Sequence, residues 1–384
     1  MKKVIIIVFL FSSLTSISQI YPSFGPEIDV TINGLSFDAM EPFISPNGNY
    51  LFFNSLNDGI NTKIFYATNL DDSTFNFFGE LNGTNQITPP HLDAVPDMDS
   101  LNNFYWTSTR NYPIELNNLF HGTFNNGNVT NIGRVDGNFN KNTPGWLVMD
   151  HGISYDGQFL YYNNARFDDT TCAGPCETEI GIAQKVNDST FNKIANSDIM
   201  LQSIMDTNYN YYAPCISSDN LELYYTRYLK DNVTPSTLFE ICVAVRNSPI
   251  DTFSSPMVLV SEPATDLIEA ATLTADKQIM YYHRKIPGSH KIVMRYRKNP
   301  LGIDAKSNSK LPFTIYPNPS NEKLNIKTEL SYHTIIVTVY SLLWKPVLTV
   351  TNKTEIDVNS LSSGAYYLMV NLDNHSGVKK LLIN

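Results

Sequence analysis

The sequence predicts an all-β chain, and three observations carry that expectation. Aromatic residues make up 12% of the 384 positions and charged residues only 17%. Aromatic and β-branched side chains suit the pleated, half-buried surface of a sheet. Turns of the Asn-Gly or Asp-Gly kind recur between short apolar runs, which is the hairpin signal. A block of strand, turn and aromatic strand is also restated five times between Glu27 and Asn299, and such periodicity marks a repeat architecture.

The blocks are Glu41–Phe53, Asp93–Trp106, Asp150–Tyr162, Ala213–Tyr225 and Ala270–Tyr282, with starts 52, 57, 63 and 57 residues apart by subtraction. A third strand follows in each, at Lys63–Ala67, Asn118–His121, Glu179–Ala183, Leu238–Cys242 and Lys291–Arg295. A fourth fits in the first four blocks, for example at Phe77-Phe78 and Met257–Val260. The fifth block ends too soon for one, and Phe24–Ile32 resembles the missing strand. A ring closed by strands from both ends leaves no open edge between first and last blades. The expectation is a five-bladed β-propeller closed by its N-terminal strand; six blades or a two-sheet sandwich are the alternatives.

Both ends and the charge bound the setting. Lys2-Lys3, the apolar run Val4–Leu14 and Ser16-Ile17-Ser18 read as a signal peptide over residues 1–18, cut at Gln19. That run falls short of the ~20 apolar residues that span a bilayer, and no later segment reaches it, so no membrane span is expected in the mature chain. A formal net charge of −10 argues against nucleic acid or anionic membrane as partners. Four cysteines fit an oxidising compartment. Cys172 and Cys176 enclose Ala-Gly-Pro and are spaced for a local disulfide; a metal pair would need a second Cys or His pair nearby, which the sequence lacks. Cys215 and Cys242 read as small buried hydrophobes on separate strands.

Propellers bind ligands where inner strands converge on the central channel. Glu41, Asp93 and Asp150 start three inner strands, and Glu269 just precedes a fourth. Such carboxylates are hard oxygen ligands suited to Ca²⁺, or an acid and base for a glycan. Their recurrence at one repeat position fits a structural hydrogen-bonding role equally, because a catalytic set needs different environments for different roles. No other cofactor is implied. His91, His121 and His151 form no metal-binding motif and read as surface or turn residues. No Gly-x-Ser-x-Gly elbow or phosphate loop is present. The pairs Phe52-Phe53, Tyr161-Tyr162, Tyr224-Tyr225 and Tyr281-Tyr282 read as blade-to-blade packing.

The segments Ser45-Pro-Asn-Gly48 and Ser154-Tyr-Asp-Gly157, with Leu51-Phe-Phe53 and Leu160-Tyr-Tyr162, resemble the TolB-like propeller repeat, a relative of WD-type repeats. In that repeat the turn is structural. The tail resembles the type A C-terminal sorting domain of the type IX secretion system. Its markers are Tyr316-Pro317-Asn318-Pro319, Leu324-Asn-Ile326, Ile335–Leu342, the Leu361…Gly364…Tyr367 end and Lys379-Lys380. Leu343-Trp344-Lys345-Pro346 departs from the family, which usually has a glycine turn there. The resemblance implies a Bacteroidota-type cell, recognition of the tail by the secretion machinery, and its removal by the system's sortase. Release or surface attachment then follows. The expected organisation is a propeller over 19–299, a linker over 300–310 and an Ig-like β-sandwich over 311–384. The leading functional expectation is a non-enzymatic propeller that binds a glycan, a peptide or a surface protein. The alternative is a glycoside hydrolase with an acidic pair or triad in the channel, as some five-bladed propellers are.

Overall fold

The computed structural model describes residues 21–298 and 313–384, apart from positions 173, 329, 342–345 and 373–374. The expected signal peptide, the linker and the Leu343-Trp344-Lys345 departure lie outside the described residues. The chain divides into two compact units, Met1–Arg297 and Lys298–Asn384.

Five sheets form among the described residues of the first unit, each built on consecutive antiparallel strands. Their innermost blade strands are Met40–Ile44, His91–Met98, Trp146–Ile153, Tyr209–Ile216 and Ile268–Leu273, for blades one to five. Each of these neighbours the next, and the fifth neighbours the first, so the sheets close a ring. Strand alternation explains the packing. In each aromatic pair the first ring faces the following blade and the second faces the preceding one. Phe52 packs with Phe104 and Trp106 of blade two, while Phe53 packs with Tyr281 of blade five. Tyr161 and Tyr162 divide in the same way between blades four and two, as do Tyr224 and Tyr225 between blades five and three. Five apolar clusters fill the five gaps between blades.

The hairpin turns repeat one device. Ser45, Ser154, Ser217 and Thr274 each donate a hydroxyl to the Asn or Asp two residues on, at 2.6–2.8 Å. Each also accepts the N–H five residues on, which pins the start of the second strand. Gly48 and Gly157 follow at φ 72° and 70°, where a Cβ would be strained.

The N-terminal segment completes blade five. Ile28–Asp29 pairs antiparallel with Ser289–Tyr296, and Phe24 bridges Arg297. The same segment continues onto blade one, where Thr31–Asn33 runs parallel to Thr74–Glu80. Glu27 clamps the closure: its Oε2 accepts Tyr282 Oη at 2.5 Å and Arg284 Nη1 at 2.9 Å.

The second unit has two sheets, one built from Phe313–Tyr316, Lys323–Thr328 and Glu355–Asp357, the other from Pro346–Thr351, Ile335–Tyr340, Gly364–Leu372 and His375–Ile383. Both contribute to one apolar core around Leu324, Ile356, Val337, Leu368 and Leu381, the arrangement of a small sandwich.

Candidate functional site

Every inner strand carries a bulge at the same level, between Met40 and Phe43, Ala94 and Asp97, Val148 and Asp150, Tyr212 and Cys215, and Glu269 and Thr272. Glu41, Val95, Ala213 and Ala270 take φ values of 49–55° there, left-handed conformations that L-residues adopt only under constraint. A bulge re-aims side chains away from the regular pleat. Its recurrence makes it part of the architecture, and the residue it carries decides the chemistry.

A polar residue after each aromatic pair holds this layer. Asn54 Oδ1 accepts Val95 N–H at 3.3 Å, Thr107 Oγ1 donates to Val148 O at 3.3 Å, Asn163 Nδ2 donates to Tyr211 O at 2.5 Å, and Thr226 Oγ1 accepts Ala270 N–H at 3.2 Å. Each bond ties one blade to the next. The fifth residue in the series, His283, turns instead to Glu269 of its own blade.

Three of the four sequence candidates act on one another. Glu41, Asp150 and Glu269 come from blades one, three and five, and each departs from the ordinary carboxyl range. Burial pushes Glu41 well up, the charges of Asp150 and Glu269 push it further, and the Asn57 and Asn54 amides oppose them without prevailing. Burial and then the Glu269 charge raise Asp150 to about 7 against the Ala213 N–H. For Glu269 burial also acts upward, but bonds and charge from His283, then Tyr212 and His290, outweigh it and hold the carboxyl below its usual range. The partners are close. Tyr212 Oη donates to Glu269 Oε2 at 2.8 Å, His283 Nδ1 meets Oε1 at 2.9 Å, and His283 Nε2 meets His290 Nδ1 at 2.7 Å. Asn57 Nδ2 donates to Glu41 Oε1 at 2.8 Å. Glu41 Oε2 and Asp150 Oδ2 are sealed from solvent and have no partner among the described residues.

Asp93 stands apart, a correction to the idea of one recurring acidic position. It lies two residues ahead of the bulge residue Val95, is fully buried, and pairs with Arg110 at 3.0 Å and the Gln86 N–H at 2.8 Å. Glu269 is likewise one residue ahead of Ala270; only Glu41 and Asp150 share a frame, four residues before Ser45 and Ser154. The histidine reading also changes. His91 and His151 are buried at 1% and 3% exposure, not at the surface, and burial lowers His151 to about 4. Sequence reasoning missed Tyr212, His283, His290 and Asn163, although the polar residue closing each aromatic pair was a visible signal.

Two cavities bear on ligands. The hairpin end of the channel, between Phe43, Asp97, Ile153, Cys215 and Thr272, encloses about 40 Å³, room for a water or two. A wider one of about 520 Å³ opens on blade one between Phe37, Phe65, Asp38, Asp58 and Lys63. None of the three interacting carboxylates lines either. Cys172 and Cys176 are joined by a disulfide. With Asp169 they are the one group of three His, Cys, Asp or Glu ligand atoms within 4.8 Å among the described residues, and the disulfide occupies both sulfurs.

In the second unit the sorting-motif residues meet each other. Asn318 Nδ2 donates to Lys380 O at 2.9 Å and its Oδ1 accepts the Leu382 N–H at 2.8 Å. Lys379 Nζ lies 5.6 Å from the Phe313 ring centroid, and Gly364 opens a strand opposite Ile383. Tyr316, Pro317, Asn318 and Pro319 are exposed, as are Lys379 and Lys380.

No curated protein matches the chain. Among solved structures it is similar to an α-L-arabinofuranosidase of Podospora anserina in complex with cellotriose, at 12% identity and a TM-score of 0.45 over 73% of this chain and 97% of that one. An endo-arabinase of Bacteroides thetaiotaomicron gives 13%, 0.42, 70% and 96%. TolB of Acinetobacter baumannii gives 9%, 0.35, 88% and 64%. Residues 314–384 match the secretion system C-terminal sorting domain. The chain is an all-β propeller followed by a type IX secretion sorting domain, a protein exported for secretion or display at the cell surface.

Proposed function

We propose that the mature protein is a non-catalytic extracellular propeller of a Bacteroidota-type cell, and that it binds a glycan in the open cavity of blade one. The observation that carries this reading is that cavity of about 520 Å³, where the Phe37 and Phe65 rings stand beside Asp38, Asp58 and Lys63. Ligand sites of this kind combine aromatic walls with a few polar groups, and carboxylates accept from sugar hydroxyls. A glycan array on the mature chain tests it. Binding should weaken at least tenfold in Phe37→Ala and Asp58→Asn.

One observation favours hydrolysis as a second reading. Glu269 is held ionised while Asp150 titrates near neutrality, the division of labour between a base and an acid. Against it, these acids line neither described cavity. A reducing-sugar assay separates the two: sugar released by the wild type and abolished by Asp150→Asn would establish a hydrolase.

A further inference from the structure

We propose that the blade-one cavity selects a glycan that carries a protonated amine, an amino sugar whose nitrogen is not acetylated. This rests on the reading of that cavity as a glycan site, and it names the class of sugar. The walls are aromatic. Phe37 is 38% exposed, and its ring centroid lies 4.7 Å from that of Phe65, with Phe77 bracing it edge-on at 5.7 Å. Phenyl faces give apolar contact area and attract a cation, but they offer no hydroxyl or N–H for hydrogen bonding. The volume of about 520 Å³ falls within the roughly 300–1,000 Å³ of small-molecule sites.

The charge decides which sugar fits. Asp38, Asp58 and Glu80 line the cavity beside one base, Lys63, and Lys63 Nζ is spent on Glu80 at 2.9 Å. Asp58 Oδ1 accepts the N–H groups of Ile60 and Asn61 at 2.8 and 2.9 Å. These bonds, Asn61 first, hold its carboxyl below the ordinary range and so keep it ionised. Asp38 Oδ1 accepts the Ser289 hydroxyl at 2.8 Å. The adjacent His290 supplies no lasting positive charge, because burial and then His283 hold its ring below the usual imidazole range. Two carboxylates thus line the cavity with their charge unanswered among the described residues. A neutral sugar would bring donors and leave that charge standing, and a uronic acid or sulfated sugar would add to it. An ammonium brings three donors and a positive charge together, and it also packs against a phenyl face.

The test titrates the mature protein calorimetrically with glucosamine oligosaccharides, their N-acetylated counterparts and an oligogalacturonate of equal length. The free-amine oligomer should bind at least tenfold tighter than the acetylated one, and the acidic oligomer should not bind. The preference should shrink at about 1 M salt, where charges are screened beyond ~3 Å. The Asp38→Asn, Asp58→Asn double variant keeps the acceptor oxygens and removes the charge, so it should erase the preference, whereas Phe37→Ala should weaken both oligomers. Thermal melting identifies any variant that fails to fold, and the wild-type comparison stands without them. Asp188→Asn, an exposed acid elsewhere, should leave the preference unchanged. Equal affinity of the wild type for the two oligomers, or a preference that survives in the double variant, overturns the proposal. So does a preference lost equally in Asp188→Asn, which would mark attraction by the net charge of the chain. If neutral glycans bind through Phe37 and the amine adds nothing, the amine inference fails alone. If no glycan binds but oligolysine does, through Phe37 and both aspartates, the glycan reading fails and the cavity belongs to a basic peptide.

Discussion

Asp97 and Glu222 carry opposite pH dependences, each set by what surrounds a buried carboxyl. Burial raises Asp97 well above its unfolded value of 3.8, although it accepts the N–H groups of Ile153 and Met98. The native state keeps this proton where the unfolded chain has lost it. Its contribution is therefore full below about 3.8 and declines as pH rises toward the folded value. For Glu222 burial also acts upward, but Arg297, at 2.7 and 2.9 Å, and then Lys277 hold it below 4.5. That contribution is present above 4.5 and is lost as pH falls through the folded value. By calorimetry, Asp97→Asn should raise Tm at pH 8 and not at pH 4. Glu222→Gln should cost about 1–3 kcal/mol at pH 7 and little at pH 3. Equal shifts at both pH values would contradict either assignment. Tyr162 is fully buried between blades two and three, and Tyr162→Ala should cost about 3–5 kcal/mol in urea unfolding. At this scale the sequence disclosed Glu41 and Asp150, because each stands a fixed four residues before a turn serine. It could not disclose that Asp93 misses the bulge by two residues. A bulge's position depends on which backbone groups pair across strands, and local side chains leave no mark of it.

The N-terminal strand is the element on which the ring depends. Glu27 gathers Tyr282, Arg284 and Arg295 around one carboxylate, and Lys291 reaches Asp29 at 2.5 Å. Glu27→Ala should destabilise the propeller by about 1–3 kcal/mol in urea unfolding, since it removes the acceptor shared by Tyr282 and Arg284 and leaves Arg284 with Glu262 alone. Unchanged stability would show that backbone pairing alone closes the ring. Closure was legible because the fifth block lacked a fourth strand and Phe24–Ile32 had the pattern of one. The step onto blade one, Thr31–Asn33 beside Thr74–Glu80, was not. Parallel pairing needs no tight turn between its strands, so it leaves no turn signature. The tail's motif was legible as a pattern, and the bonds from Asn318 to the Lys380–Leu382 backbone give it a physical reason: the first turn of the unit is fastened to its last strand.

At the scale of the whole molecule, each unit has its own core, so the propeller is a self-contained cargo and the tail a separate address. Removal of residues 311–384 should leave the thermal transition of the propeller within about 1 °C of its value in the full chain, checked by calorimetry. Five repeats, a shared turn device and alternating aromatic pairs made the ring readable. The axial cluster was only half readable, because Tyr212, His283 and Asn163 come from strands far apart in sequence, and only closure brings their blades around one axis. That cluster is the electrostatic centre of the ring and decides whether the axis holds an acid and a base, and carboxyl ¹³C NMR titration of the mature protein tests it most directly, with assignments from Glu41→Gln, Asp150→Asn and Glu269→Gln. Three separated transitions are expected: Glu269 below the ordinary range, Asp150 at about 7, and Glu41 well above the ordinary range. Three carboxyls titrating together near 4 would contradict it.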